Sequence, residues 1–381
     1  MLLKGMKVLD LSLLLPGPFC SLMLASLGAE VIKVEPVGEG DPIRYMISGL
    51  FSFLNRSKKS ITLNLKNEKG KEIFFRLAKR CNVVLEGFRP GVVKRLGIDY
   101  ESVKKVNPEI IYCSLSGYGQ SGPYANLPGH DLNYQGVAGL LSISGNPSSP
   151  PEAASGIQAA DICGTMFALS AILAAYAYYM KEGRGQYIDV SMTDGILAWM
   201  GPRLCEWVAH RKPDKKRFMT RGSYGVFRTR DGKYISLGVI ERHFWENFCR
   251  LIGRTDLLVD KYCTWEGRNK YSDEINPIIE KAIGEKDRDE WLKLFFENNI
   301  PGAPVNSLSE LDSDPQLIAR GLFEKDQAGG YFVQPFPAKF SEKEDSRLSP
   351  PPDVGEHNEI LLKELGYSDD EIDYLKEEKV I

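Results

Sequence analysis

The first half of the chain is punctuated by short apolar runs rich in β-branched residues: Lys7-Val8-Leu9-Asp10-Leu11, Glu30-Val31-Ile32-Lys33-Val34-Glu35, Ser60-Ile61-Thr62-Leu63-Asn64-Leu65, Asn82-Val83-Val84-Leu85-Glu86 and Ile110-Ile111-Tyr112-Cys113-Ser114-Leu115. Runs of this length with turn residues at their ends read as strands. After the first, Pro16-Gly17-Pro18 breaks the run, a helix is expected from near Phe19 to about Ser26, and Gly28 stops it. Glu72–Ala78 places apolar residues at three-four spacing, which marks a helix face. Strand, helix, strand is a βαβ unit, and such units build parallel sheets with right-handed crossovers. The pattern predicts an α/β fold with a Rossmann-like sheet, extended by a strand at Gly185–Ser191.

Periodicity is then lost over residues 116–158, which are rich in Gly, Ser and Pro and read as a long irregular functional surface. The longest apolar region, Ile162 to Met180, includes Cys163, Gly164, Thr165, Ser170 and three tyrosines. It is expected to be a helix buried in protein rather than a membrane span, capped by Asp161 and stopped by Gly183. Gly225–Thr229 and Tyr234–Gly238 flank Asp231-Gly232, a hairpin signal, with helices expected around Phe244–Ile252 and Asp289–Phe296. This second region reads as a small α+β unit. The chain turns Pro-rich from about residue 330 and ends in a helix capped by Ser368 and Glu371, with Ile372 and Leu375 on one face.

Composition narrows the function classes. The chain has 381 residues, 43% hydrophobic and 26% charged, with a net charge of -3, so nothing favours nucleic acid as a partner. Seven scattered cysteines without a Cys-x-x-Cys pair are expected to be reduced, mostly buried thiols, and no metal site is expected. The amino terminus carries no leader-like apolar run, so a cytoplasmic protein with no membrane partner is expected. The loop at Pro16-Gly17-Pro18 lacks Gly-x-Gly-x-x-Gly spacing, which argues against NAD or FAD, although Glu35 stands where a ribose-binding acid would.

Candidate chemistry centres on three acids and an imidazole. Asp161, at a helix start, reads either as a plain cap or as a group that acts on a proton or acyl centre beside free N–H groups able to receive an oxyanion. His130 lies in Gly129-His130-Asp131-Leu132-Asn133-Tyr134, and reads either as a surface histidine or as a proton-transfer group with Asp131 and Glu241 as candidate orienting partners. Glu241 alone reads as a solvated hairpin-end carboxylate. Arg44, Arg56, Lys58, Lys59, Lys66, Arg89, Lys94 and Arg95 form a basic cluster that is either a solvated patch or a phosphate site, and Phe88-Arg89-Pro90-Gly91 is a rigid turn carrying one guanidinium.

Several motifs occur together in a fixed order: Pro16-Gly17-Pro18-Phe19, Gly28-Ala29-Glu30-Val31-Ile32-Lys33-Val34-Glu35-Pro36, Glu86-Gly87-Phe88-Arg89-Pro90-Gly91, Ser116-Gly117-Tyr118-Gly119-Gln120-Ser121-Gly122-Pro123, Gly185–Met192 and Gly355-Glu356-His357. In these the chain resembles the class III CoA-transferase and alpha-methylacyl-CoA racemase family. The resemblance implies a large Rossmann-like CoA-binding domain from residues 1–200 and 331–381, a small α+β domain from 222–330 and a linker at 201–221. It implies a homodimer of interlocked subunits, with no tightly bound cofactor and with coenzyme A as part of the acyl-CoA substrate. CoA would lie along Leu63, Leu65 and Lys66 and against Arg89, Gly91 and Arg95. Asp161 matches the acid of both branches, the transferase nucleophile included, whereas His130, Asp131 and Glu241 match the racemase set. No Gly-Gly-Gly-Gln loop of the formyl-CoA transferase kind is present. The resemblance therefore leans toward a 2-methylacyl-CoA racemase, with a CoA-transferase as the alternative. Arg242-His243-Phe244 and the Gly38-Glu39-Gly40-Asp41 loop depart from the pattern of many racemases.

Overall fold

The computed structural model describes residues 1–153, 156–211, 215–219, 221–325, 331–342 and 347–381. The chain divides into two units, one of residues 1–141, 153–204 and 324–381, the other of residues 142–152 and 205–323.

The larger unit is built on six strands: β1 (Lys7–Asp10), β2 (Glu30–Glu35), β3 (Lys58–Thr62), β4 (Val83–Glu86), β5 (Ile111–Ser116) and β6 (Tyr187–Ser191). All neighbours are parallel and the order is β3-β2-β1-β4-β5-β6. The inner strands β2, β1, β4 and β5 are buried along nearly their whole length, as a sheet covered on both faces requires, and so read as runs rather than alternations, whereas β6 at the edge is partly exposed. The order reverses direction between β1 and β4, and a crevice opens outside the carboxyl ends of strands at such a point. Helices α1 (Pro16–Ser26), α2 (Glu68–Ala78), α3 (Asp131–Val137) and α4 (Ala159–Glu182) belong to this unit. Ile73, Phe74 and Leu77 of α2 share one core with Leu9, Ile32, Ile61 and Val84 of the sheet. The carboxyl-terminal segment completes that core through Leu361, Leu362, Ile372 and Leu375, and Ser368 and Glu371 cap its last helix reciprocally.

The smaller unit carries a three-stranded antiparallel sheet of β7 (Tyr224–Arg228), β8 (Tyr234–Gly238) and β9 (Gly302–Pro304). Its core gathers Ile235 and Leu237 from the sheet with Trp245, Phe248, Ile275, Ile279, Trp291 and Phe295 from helices α5 (Arg242–Leu251), α6 (Ser272–Ile283) and α7 (Arg288–Glu297).

Four expectations change. The third strand ends at Thr62, so Leu63, Leu65 and Lys66 follow it rather than lie in it. The region 116–158 is not wholly irregular, because His130 and Asn133 start α3 inside it. The expected linker contains helices at Gly201–His210 and Lys215–Met219, while its residues 212–214 and 220 lie outside the described residues. Helix α4 is not fully enclosed: it is long and apolar enough to cross a membrane by length and composition, but half of its most apolar window is buried, and Phe167, Tyr178 and Met180 are exposed.

The basic cluster also resolves differently. Arg44 forms two bonds to Glu35, Arg56 pairs with Glu324, Lys59 with Glu30 and Lys58 with Asp10, leaving Lys66, Arg89, Lys94 and Arg95 exposed. Glu35, bonded by Arg44, by the Ser60 hydroxyl and by the Asp41 N–H, is thus a structural acid rather than a ribose ligand.

Four fully buried charges shape the β1–α1 loop. Lys33 Nζ lies 2.8 Å from Asp41 Oδ2 and donates to Ser12 O at 2.9 Å. Asp41 Oδ1 in turn accepts the Leu14 N–H, at a left-handed φ of 66°. Lys58 Nζ reaches Asp10, Pro18 O and Asn55, and Asp10 also holds the hydroxyls of Ser12 and Ser21. Burial pushes the Asp10 carboxyl up, but Lys58, Lys33 and the two hydroxyls outweigh it and hold it below the usual range. Burial draws Lys58 down to about 7 against the pull of Asp10. Removing one member of a buried pair strands the other charge, so Lys33→Met is expected to cost about 3–5 kcal/mol in urea unfolding.

Candidate active site

A cavity of about 230 Å³ lies in the larger unit at the reversal of strand order. Its walls follow β1 (Ser12, Leu13, Leu14, Pro16, Gly17), β4 (Gly87, Phe88, Arg89, Pro90) and β5 (Gly117, Tyr118), and His130, Tyr134 and Asp161 complete it. The imidazole and the carboxylate that the sequence singled out therefore share one pocket.

Helix α1 begins at this pocket with Pro16 in its first position and no side-chain cap at Leu15. Pro16 and Pro18 have no N–H, so the helix start offers few donors to an anion. The Arg89 turn is held from below by Glu86, whose Oε2 accepts the Phe88 N–H at 2.7 Å. Burial pushes the Glu86 carboxyl up to about 7 despite bonds from Ser114 and Phe88. Sequence reading passed over Glu86 as a strand end; its place one residue before the Gly87-Phe88-Arg89 turn was the available signal.

Asp161 is not the cap of α4. Gln158 occupies that position and Asp161 lies in the first turn. The capping carboxylate comes from Asp131, whose Oδ1 accepts the N–H of Ala160 at 2.7 Å and of Asp161 at 3.3 Å, while Gln135 Nε2 bonds its Oδ2. Two consequences follow. The N–H groups of Ala160 and Asp161 are occupied, so the expected oxyanion site at the Asp161 helix start does not hold for those two donors. Asp161 is also denied those bonds. Burial first, and then the charge of Asp131, push its carboxyl up to about 7. Asp131→Asn retains a capping oxygen but removes the charge. It is expected to move Asp161 ionisation to lower pH, read by carbon-13 NMR of the carboxyl.

His130 is exposed as the N-cap of α3; its N–H donates to Asn133 Oδ1 at 3.0 Å. Asp131 spends its carboxylate on α4 rather than on orienting the imidazole. Glu241 is exposed as the N-cap of α5 in the smaller unit. Buried Arg268 bonds the carbonyls of Val239 and Ile240 just before it. Of the residues expected to hold CoA, Arg89 lines the cavity. Leu63 lies in the core, Leu65 packs against that core, and Lys66, Gly91 and Arg95 are exposed outside the lining.

The model of CoA-transferase family III matches residues 3–358. The chain belongs to this family. An acetyl-CoA:oxalate CoA-transferase of Acetobacter aceti is 35% identical over 95% of both chains. The human alpha-methylacyl-CoA racemase is 32% identical over 100% of this chain and 99% of its own. A CAIB/BAIF family protein from Brucella suis has a similar solved structure, with a TM-score of 0.84, 30% identity and coverage of 95% and 99%. The protein is thus an enzyme of family III, a family whose relatives include both transferases and a racemase, and the two identities do not separate those activities.

Proposed function

We propose that the protein racemises or epimerises 2-methylacyl-CoA thioesters by 1,1-proton transfer through an enolate. The observation that carries this is the pairing in one pocket of His130 with an Asp161 whose carboxyl is raised to about 7. A carboxyl raised toward neutrality can be held protonated and can return a proton as well as take one, which a reaction run in both directions requires. In one direction neutral His130 takes the C2 proton. The C–H electron pair moves into the enolate, and protonated Asp161 returns a proton to the opposite face. His130 is left protonated and Asp161 ionised, which is the starting state for the reverse reaction.

Coenzyme A enters as part of the substrate. Exposed Arg89, Lys66, Lys94 and Arg95 supply positive charge for its phosphates, the role proposed for the CoA-binding set with Leu63, Leu65 and Gly91. The reading includes a homodimer of interlocked subunits, in which a second copy covers the exposed side chains of α4 and brings Glu241 to the imidazole. Deuterium uptake at C2 of a 2-methylacyl-CoA in heavy water, with no CoA acceptor present, tests the proposal. Absence of uptake across a range of such esters would refute it.

The transferase reading is supported by the similarity to several CoA-transferases, the oxalate enzyme at 35% identity among them. There Asp161 attacks the thioester carbonyl, CoA leaves as thiolate, and a mixed anhydride remains on the enzyme. Hydroxylamine trapping of that acyl-enzyme, without deuterium uptake, would favour it.

A further inference from the structure

We propose that Tyr134 is a positioning residue for His130, its hydroxyl fixing the backbone from which the imidazole enters the pocket; this rests on the proton-transfer reading above. Tyr134 lies in the first turns of α3 and is 8% exposed, with its ring in the pocket wall. Its hydroxyl donates to the carbonyl of Gly129, the residue directly before His130. The ring fills space that two glycines leave open. A Cβ at Gly117 would come within 2.2 Å of its Cε1, and one at Gly129 within 2.7 Å. Tyr118 meets the same ring edge-on, with centroids 5.0 Å apart.

His130 is therefore gripped from both sides along the backbone. Its N–H donates to Asn133 Oδ1 at 3.0 Å, and its carbonyl accepts the N–H groups of Asn133 at 2.8 Å and of Tyr134 at 3.4 Å. Gly129, the residue directly before His130, is pinned by the Tyr134 hydroxyl. A ring needed only for packing would be served by phenylalanine. Here the polar tip selects the carbonyl whose movement would carry His130 away.

Tyr134→Phe keeps the ring and removes that bond. It is expected to lower kcat for proton exchange about tenfold, with KM for the thioester within about twofold and the unfolding temperature nearly unchanged. The loss should be greater for the enantiomer whose proton His130 removes. Gly117→Ala displaces the ring while leaving the hydroxyl and should show the same enantiomer preference. The imidazole proton–nitrogen signals of His130, assigned by comparison with His130→Gln in the ligand-free protein, should shift in Tyr134→Phe. Unchanged signals overturn the proposal whether or not the wild type exchanges anything. A loss equal for both enantiomers, or one that tracks a lowered unfolding temperature, overturns it as well. A wild type without exchange instead counts against the parent reading alone.

Discussion

Asp161→Asn is expected to reduce deuterium exchange at C2 by roughly 10²–10⁴-fold, the usual worth of a positioned acid–base group. The same substitution is expected to stabilise the fold above neutral pH. Burial, aided by Asp131, raises the Asp161 carboxyl from 3.8 to about 7, so between those values the native state holds a proton that the unfolded chain has released. Stability therefore falls as pH rises through this window and stays reduced above it. An amide carries no charge to be opposed. Its advantage should be absent below about pH 4 and reach about 4 kcal/mol at pH 8, by denaturant unfolding at the two pH values. A variant that is inactive yet more stable at pH 8 than at pH 4, relative to wild type, would separate a functional carboxylate from a structural cap. Equal stabilisation at both pH values would contradict the assigned cause.

His130→Gln gives the second large effect, and its pattern carries more than its size. Inversion should fall by roughly 10²–10⁴-fold because one face loses its base. Asp161 remains to remove and return a proton on its own face. The enantiomer presenting its proton there should still take up deuterium, now with retained configuration. Chiral analysis of the thioester beside mass measurement of deuterium resolves the two outcomes. Retention of CoA transfer between carboxylic acids at near wild-type rate would instead identify Asp161 as a nucleophile that has no need of the imidazole.

The parts of this fold readable in advance were those governed by local chemistry. Glu30–Glu35 reads as a strand because Val31, Ile32 and Val34 suit a sheet buried on both faces, and Asp231-Gly232 turns the small hairpin because Gly232 takes a φ of 79°. Ser368 and Glu371 announce their helix because both halves of the cap lie within four residues. What stayed hidden depends on partners distant in the chain. No local pattern tells that Asp131 caps a helix beginning at Ala159, or that Gln158 rather than Asp161 stands at its head. Nothing local shows how Lys33, a charge inside a strand run, is accommodated; only the fold supplies Asp41 and the Ser12 carbonyl to bury it with. At the pocket, the sequence pointed to His130 and Asp161 through their types and neighbours. The division of labour between Asp161 and Asp131 became visible only when one carboxylate was seen to occupy the helix start and the other to be left without it.

The opening of α1 carries a wider consequence. Dinucleotide enzymes on this strand order meet their cofactor with bare amides at the first helix. Here two imino acids stand at that doorway, and Leu13 and Leu14 line the approach. A diphosphate finds little to hold there. Any attempt to convert this scaffold to nicotinamide use would have to begin by rewriting Pro16 and Pro18.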